Sequence, residues 1–188
     1  QPEEHHPEID CGIHTLMVLE QACKLSSDPL IRFAALVHDL GKGTTPREQW
    51  PGHRGHEERS VGLINLLCDR HRIPKRFREL AIIVARHHLD CHRITEMRPE
   101  TILKKLEKMD AFRRPERFAQ FLLACEADIR GRKGLEDRDY PQAEYLERAL
   151  SAASAVDTGA LQKEALSGSD MAKALRKLRT KAIEKAIK

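Results

Sequence analysis

The chain has 188 residues, 40% of them hydrophobic and 33% charged, with a formal net charge of +4. That is enough for one domain with a real core, or for one domain plus an appendage, and the mild positive charge permits a polyanionic partner without demanding one. No apolar run approaches the ~20 residues that span a bilayer, no signal-peptide pattern opens the chain, and the five cysteines (Cys11, Cys23, Cys68, Cys91 and Cys125) never form a C-x-x-C pair, which argues against a disulfide framework or a thiolate zinc module and for a reducing cytoplasm.

In chain order, helical signals dominate. Gly12 to Leu25 carries Ile13, Leu16, Met17 and Leu19 at close to helical period. Ser27-Asp28-Pro29 is a helix start, with a capping side chain and a proline in the first turn. The helix that follows is expected to run to Leu40 and stop at Gly41 in a left-handed cap. Residues 43–55, with Pro46, Pro51 and Gly52, read as a loop. Further helices are expected over His56 to Arg70, Pro74 to His88, Pro99 to Met109, Pro115 to Ile129 and Tyr140 to Ala155. A weak linker over 156–159, a short helix over 161–166 and a basic last helix from about Asp170 complete the chain. No strand alternation is present. The fold class is therefore all-α, a helical bundle of roughly seven to nine helices.

The residues that bear chemistry lie on these helices. His38 and Asp39 stand side by side at the end of an apolar helical run, and both are costly to bury without a partner. His14 lies on a helix face that otherwise buries aliphatics, and Asp128 at the end of another apolar helix. Alone, His14 reads as a hydrogen-bonded core histidine, and Asp128 as a carboxylate paired with Arg130 or Arg132. Together, two imidazoles and two carboxylates suit a hard or borderline divalent ion: Ni, Mg, Mn, Co, Fe or Zn. Such an ion acidifies water and polarises a phosphoryl oxygen. Lys42, one turn past His38, is placed to offset phosphate charge, or is an ordinary lysine near a helix end. His56 and His88 are candidates for a second ion or for gripping the phosphate. His88 and His92 are spaced i,i+4 on one face, but Leu89 replaces the glutamate of a zincin. His92, and still more His53 and His87, rank below these. No G-x-S-x-G elbow, Walker loop or G-x-G-x-x-G is present.

At these residues the chain resembles the HD superfamily of metal-dependent phosphohydrolases. Within it, the runs His6 to Asp10 with Gly12 to Leu16, His38 to Gly43 with Thr45-Pro46 and Trp50-Pro51, Gly55-His56, and Glu126 to Arg132 followed by Asp139 to Gln142 resemble the C-terminal HD domain of bacterial CCA-adding tRNA nucleotidyltransferases. The likeness covers roughly residues 4–150. It implies His14, His38, Asp39 and Asp128 as metal ligands, with a divalent metal such as nickel or magnesium. It also implies 2′,3′-cyclic phosphodiesterase, 2′-nucleotidase and phosphatase activities on tRNA or RNA 3′ ends. His38, Asp39, Lys42, His56 and His88 are the expected catalytic set. The expected layout is a junction over 1–10 to an N-terminal nucleotidyltransferase head, the HD body over 11–155 and a helical tail over 156–188. No nucleotide loop with paired catalytic aspartates is found, so CCA addition is not expected of this chain alone. The alternative is a non-catalytic module that binds tRNA or forms a homodimer beneath the head, favoured by the basic patches Arg70-His71-Arg72, Lys75-Arg76, Arg113-Arg114 and Lys173 to Lys188.

Overall fold

Asp10 opens the first helix: its Oδ1 accepts hydrogen bonds from the backbone N–H of Gly12 (2.7 Å) and Ile13 (3.0 Å), satisfying two donors that a helix start leaves unpaired. The structure, a computed structural model, describes residues 10–159 and 168–188. The expected junction over 1–10, apart from Asp10, and the short helix expected over 161–166 lie outside the described residues. Within these, eight α-helices follow one another and no strand occurs, the all-α architecture expected from the sequence. They are α1 (Cys11–Leu25), α2 (Pro29–Val37), α3 (His56–Arg70), α4 (Lys75–His92), α5 (Pro99–Lys108), α6 (Pro115–Arg130), α7 (Pro141–Ser154) and α8 (Gly168–Ala186). Three 3-10 turns, Leu40–Thr44, Arg47–Gln49 and Ile94–Glu96, join them. No helix among the described residues is long and apolar enough to cross a membrane.

The chain divides into two compact units. The first takes in the chain up to His92 together with Ala119–Tyr140. Here α2 packs on α1 and α4, and α3 packs on α4 and on the turn Leu40–Thr44. Its core holds Val18, Ala22, Ile31, Ala34, Ile64, Leu80, Val84 and Phe121, all buried. The second unit is Arg93–Phe118 with Pro141–Lys188. In it α8 packs on α5 and α7, burying Ile183 with Ile102, Leu103, Leu106 and Leu146. Arg179 lies 4.3 Å over the Phe112 ring, and Arg176 pairs with Glu107 at 3.2 Å.

Three departures from the expectation shape the site; the other helix ends agree with it to within two residues. First, α2 ends at Val37, not Leu40: Asp39 leaves helical geometry at φ −106° and ψ 14°, and a 3-10 turn follows. Second, Gly41 is not a left-handed cap; positive φ among glycines falls on Gly55 and Gly134. Gly41 is needed for close approach instead, because a Cβ there would collide with the His56 carbonyl oxygen and lie 2.6 Å from the Ser60 nitrogen of α3. Third, α4 continues one turn past His88, to His92.

Asp28 ties two elements at once. Its Oδ1 caps α2 through the Leu30 N–H at 2.8 Å, and its Oδ2 accepts from Gln120 Nε2 on α6 at 2.7 Å. Losing a cap costs about 1 kcal/mol and losing the side-chain bond about as much again. Asp28→Ala is therefore expected to lower Tm by about 4–8 °C, with Asp28→Asn retaining most of it. An unchanged Tm in thermal denaturation of Asp28→Ala would rule this tie out.

Candidate metal centre

The site is built from apolar stripes that each carry one or two polar members. On α1 the buried positions are His14, Val18, Gln21 and Ala22, a helical stripe with histidine as its first rung. On α3 they are His56, Ser60, Ile64 and Cys68, spaced by four. On α4 they include Leu80, Ala81, Val84, Ala85, His88 and Cys91. On α6 Ala124, Cys125 and Ala127 are buried beside Asp128. His38 and Asp39 come from the break after α2, where the bent backbone lets neighbouring side chains face one point.

The structure brings together all seven residues singled out from the sequence: His14, His38, Asp39, Lys42, His56, His88 and Asp128, every one buried. Asp39 is the hub. Its Oδ2 lies 3.2 Å from His38 Nε2 and 2.7 Å from Lys42 Nζ; its Oδ1 lies 3.1 Å from His56 Nε2 and 3.7 Å from His88 Nε2. Asp128 Oδ1 lies 3.0 Å from His14 Nε2 and 3.6 Å from His38 Nε2. Three sets of donor atoms fall within 4.8 Å of one another: His14, His38 and Asp39; His38, His88 and Asp128; Asp39, His56 and His88.

The tautomers are readable. His38 Nδ1 lies 2.7 Å from the Ala35 carbonyl, His56 Nδ1 3.0 Å from the His53 carbonyl, and His88 Nδ1 3.1 Å from the carbonyls of Val84 and Ala85. A carbonyl only accepts, so each Nδ1 carries the hydrogen and each Nε2 turns its other valence toward Asp39. His38 Nε2, His56 Nε2 and Asp39 Oδ1 are buried, and no group meets them in hydrogen-bond geometry. Nitrogen lone pairs facing carboxylate oxygens repel unless a cation lies between them. This donor set fits a divalent ion of the hard or borderline kind.

The electrostatics agree with that reading. Burial opposes a charge on His38, yet the Asp39 and Asp128 carboxylates outweigh it and hold its pKa up at about 10. Burial likewise opposes the Asp39 and Asp128 anions, but His38 beside both, with Lys42 beside Asp39, keeps them well below the usual carboxylate range. His88 goes the other way: burial, with the His38 charge nearby, pushes it down to about 3 and keeps its imidazole neutral. The protonated His38 is thus the cation shared by both carboxylates, with Lys42 beside Asp39.

His92 belongs to the site more closely than its low sequence ranking implied. Its Nε2 lies 2.7 Å from Asp128 Oδ2 and its Nδ1 2.9 Å from the Tyr140 hydroxyl, so Asp128 is gripped from both sides. The i,i+4 spacing from His88 was the available signal. His87 instead pairs with Asp90 at 3.0 Å, and His53 Nδ1 with the Thr45 hydroxyl at 2.9 Å. Cys91, buried, accepts from the Tyr140 hydroxyl at 3.1 Å, and all five cysteines are free thiols.

A family model for the HD domain matches residues 12–115, more than half of the chain. The chain belongs to the HD-domain family. The matched stretch of this HD domain holds His14, His38, Asp39, Lys42, His56 and His88, and Asp128 follows it. The chain is similar to proteins named Multifunctional CCA protein. It is 58% identical over 184 residues to the one from Thioalkalivibrio sulfidiphilus, covering 98% of this chain and 45% of that protein. It is 57% identical over 187 residues to the one from Nitrosococcus oceani, covering 100% and 46%. It is 52% identical over 186 residues to that of Methylococcus capsulatus, covering 98% and 44%. The HD-domain chain thus spans somewhat under half the length of these relatives. No solved structure matches it.

Proposed function

We propose that this HD domain is a metal-dependent phosphohydrolase for RNA 3′ ends, a 2′,3′-cyclic phosphodiesterase with 2′-nucleotidase and phosphatase activity that serves tRNA 3′-end processing in the cytoplasm beside a nucleotidyltransferase head. One observation carries the reading: the Nε2 atoms of three tautomer-fixed histidines converge on the buried Asp39 carboxylate, with His14 and Asp128 completing the set. The similarity to Multifunctional CCA proteins supports RNA ends as the substrate class.

His14, His38, Asp39 and Asp128 would hold the divalent ion (nickel, magnesium, manganese or cobalt). A bound ion supplies Lewis-acid charge to a phosphoryl oxygen and brings the pKa of water toward neutrality. The chain does the rest. The carbonyls of Ala35, His53, Val84 and Ala85 keep the imidazoles oriented. Lys42 stabilises charge on the phosphate oxygens, while His56 and His88, whose Nε2 lone pairs face Asp39, would share a second divalent ion with that carboxylate. A 2′,3′-cyclic phosphate is already strained, so a modest site opens it. The metal-stripped chain is expected to regain hydrolysis of adenosine 2′,3′-cyclic phosphate when Ni, Co, Mn or Mg is added back.

Ion binding must also expel the His38 proton, since Nε2 cannot hold both. With the folded pKa near 10, above the ordinary 6.5, that proton is present throughout the neutral range. Affinity is therefore expected to rise about tenfold per pH unit up to about 10 and to fall as pH drops. Calorimetric titration of Ni2+ in two buffers of different ionisation enthalpy should show about one proton released near pH 7.5. Zero release would remove His38 from the ligand set.

One observation favours a second reading, a tRNA-binding module. In the second unit Lys104, Arg176, Lys177 and Lys181 line a groove of about 610 Å³, with Glu100, Thr180 and Glu184. Basic side chains in a groove suit a phosphate backbone. A folded chain with no turnover under any ion, but with salt-dependent tRNA affinity, would establish that role instead.

A further inference from the structure

The stretch between Gly43 and Gly55 gives no residue to the ligand set, yet it is firmly held. Arg59 on α3 donates from Nε to the Gly41 carbonyl (3.2 Å), from Nη1 to the Arg54 carbonyl (2.8 Å) and from Nη2 to the Thr45 hydroxyl (2.8 Å). The Thr45 hydroxyl also accepts from His53 Nδ1 at 2.9 Å and donates to the Gly41 carbonyl at 3.3 Å, which uses its hydrogen and both lone pairs. The indole of Trp50 donates to the Thr45 carbonyl at 3.0 Å. This bond fixes the ring while leaving it 57% exposed.

Trp50 is the chain's single tryptophan. A large apolar ring left in water but pinned at its polar edge, on a loop fastened by an arginine, is pre-organised for a flat partner. Its position ties it to the metal centre. The ring lies 6.4 Å from that of His53, whose carbonyl fixes the His56 tautomer at 3.0 Å and accepts the His56 N–H at 3.1 Å. The loop itself runs from Lys42 to His56, both site members. Arg47 stands 6.0 Å over the indole and adds a cation beside it.

We propose that Trp50 is the stacking platform for the nucleobase of the nucleotide whose phosphate lies in the metal centre, and so the residue that makes the site prefer nucleotides to simple phosphate esters. This rests on the phosphate-ester reading above and adds the recognised part of the substrate. Stacking tolerates any base, because every base has a flat face, which suits an enzyme for ends rather than for one sequence.

The test compares Trp50→Ala and Trp50→Phe with the parent chain on two substrates: adenosine 2′,3′-cyclic phosphate and glycerol 2-phosphate, which has no base. In Trp50→Ala, kcat/KM for the nucleotide is expected to fall about five- to hundredfold through KM, with glycerol 2-phosphate unaffected and Trp50→Phe restoring most of the loss. Equal losses on both substrates would assign Trp50 a merely structural role in the loop and overturn the proposal, as would no loss on the nucleotide. Should no phosphate ester be hydrolysed, the fluorescence of the single tryptophan still decides. Quenching by adenosine 2′-phosphate but not by glycerol 2-phosphate would support the platform even as the hydrolase reading fails. No quenching by either would overturn it.

Discussion

Asp39→Asn is expected to cut metal-dependent hydrolysis of adenosine 2′,3′-cyclic phosphate by about a thousandfold, a loss near 4 kcal/mol of transition-state stabilisation. The reason lies in what the carboxylate touches. Within 3.7 Å of its two oxygens stand His38 Nε2, Lys42 Nζ, His56 Nε2 and His88 Nε2. An amide keeps the shape but removes the charge that draws a cation among them, and it turns an NH2 donor toward nitrogens that would have to accept. The variant should remain helical by circular dichroism and lose nickel binding in calorimetry along with activity. Turnover within tenfold of the parent, with metal still bound, would mean that the hydrolytic centre is elsewhere in the chain.

Gly41→Ala and Gly131→Ala are expected to destabilise the first unit by about 3 kcal/mol each, lowering Tm by about 6–12 °C. At Gly41 the added methyl strikes the α3 backbone at His56 and Ser60, and it also pushes on the Gly41 N–H bond to Ser60 Oγ at 2.8 Å. At Gly131 it meets Val18 Cγ2 at 2.5 Å, Val18 Cα at 2.6 Å and Val18 N at 2.7 Å, so α1 and the end of α6 must separate. These are the helices that carry His14 and Asp128, whose bond of 3.0 Å would open. Gly62→Ala is the control: it lies inside α3 with nothing within 4 Å of the new methyl, and alanine there should be neutral or stabilising by about 0.5–1 kcal/mol. If Gly41→Ala and Gly62→Ala melt together, the close approach of the turn to α3 is not real.

Much of this was legible in the sequence because polar candidates at the end of an apolar run stand out. His38-Asp39 ends an apolar run and has no ordinary reason to be there; His14 is less plain, because Ile13 and Leu16, which set the period in sequence, are 52% and 66% exposed, and the buried stripe is His14, Val18 and Ala22. The all-α class followed from period and proline punctuation alone. What was not legible depends on tertiary contact. Gly41 resembles a helix cap in sequence, and only the position of α3 shows that its missing side chain is needed for close approach. The end of α2 at Val37 depends on Asp39 adopting a conformation that local propensity does not encode. His92 ranked low because spacing places it beside His88 but cannot show that Asp128, 36 residues on, would reach it. Trp50 was visible only as part of a motif, since nothing in its neighbours tells a buried ring from a displayed one.

The candidate site also has a history in time. His38, Asp39, Lys42 and His56 lie in one short stretch joined by local turns, whereas His14 and Asp128 meet across 114 residues. Closing so long a loop loses entropy before the contact can compensate for it, and contacts of that reach are among the slow ones to form. The half-site around Asp39 is therefore expected to assemble before Asp128 arrives. On that order, an ion that bridges the two halves is expected to act on the rate of unfolding far more than on the rate of folding. In kinetic terms the centre is a latch: it does not hasten the closing of the fold, but it delays its reopening.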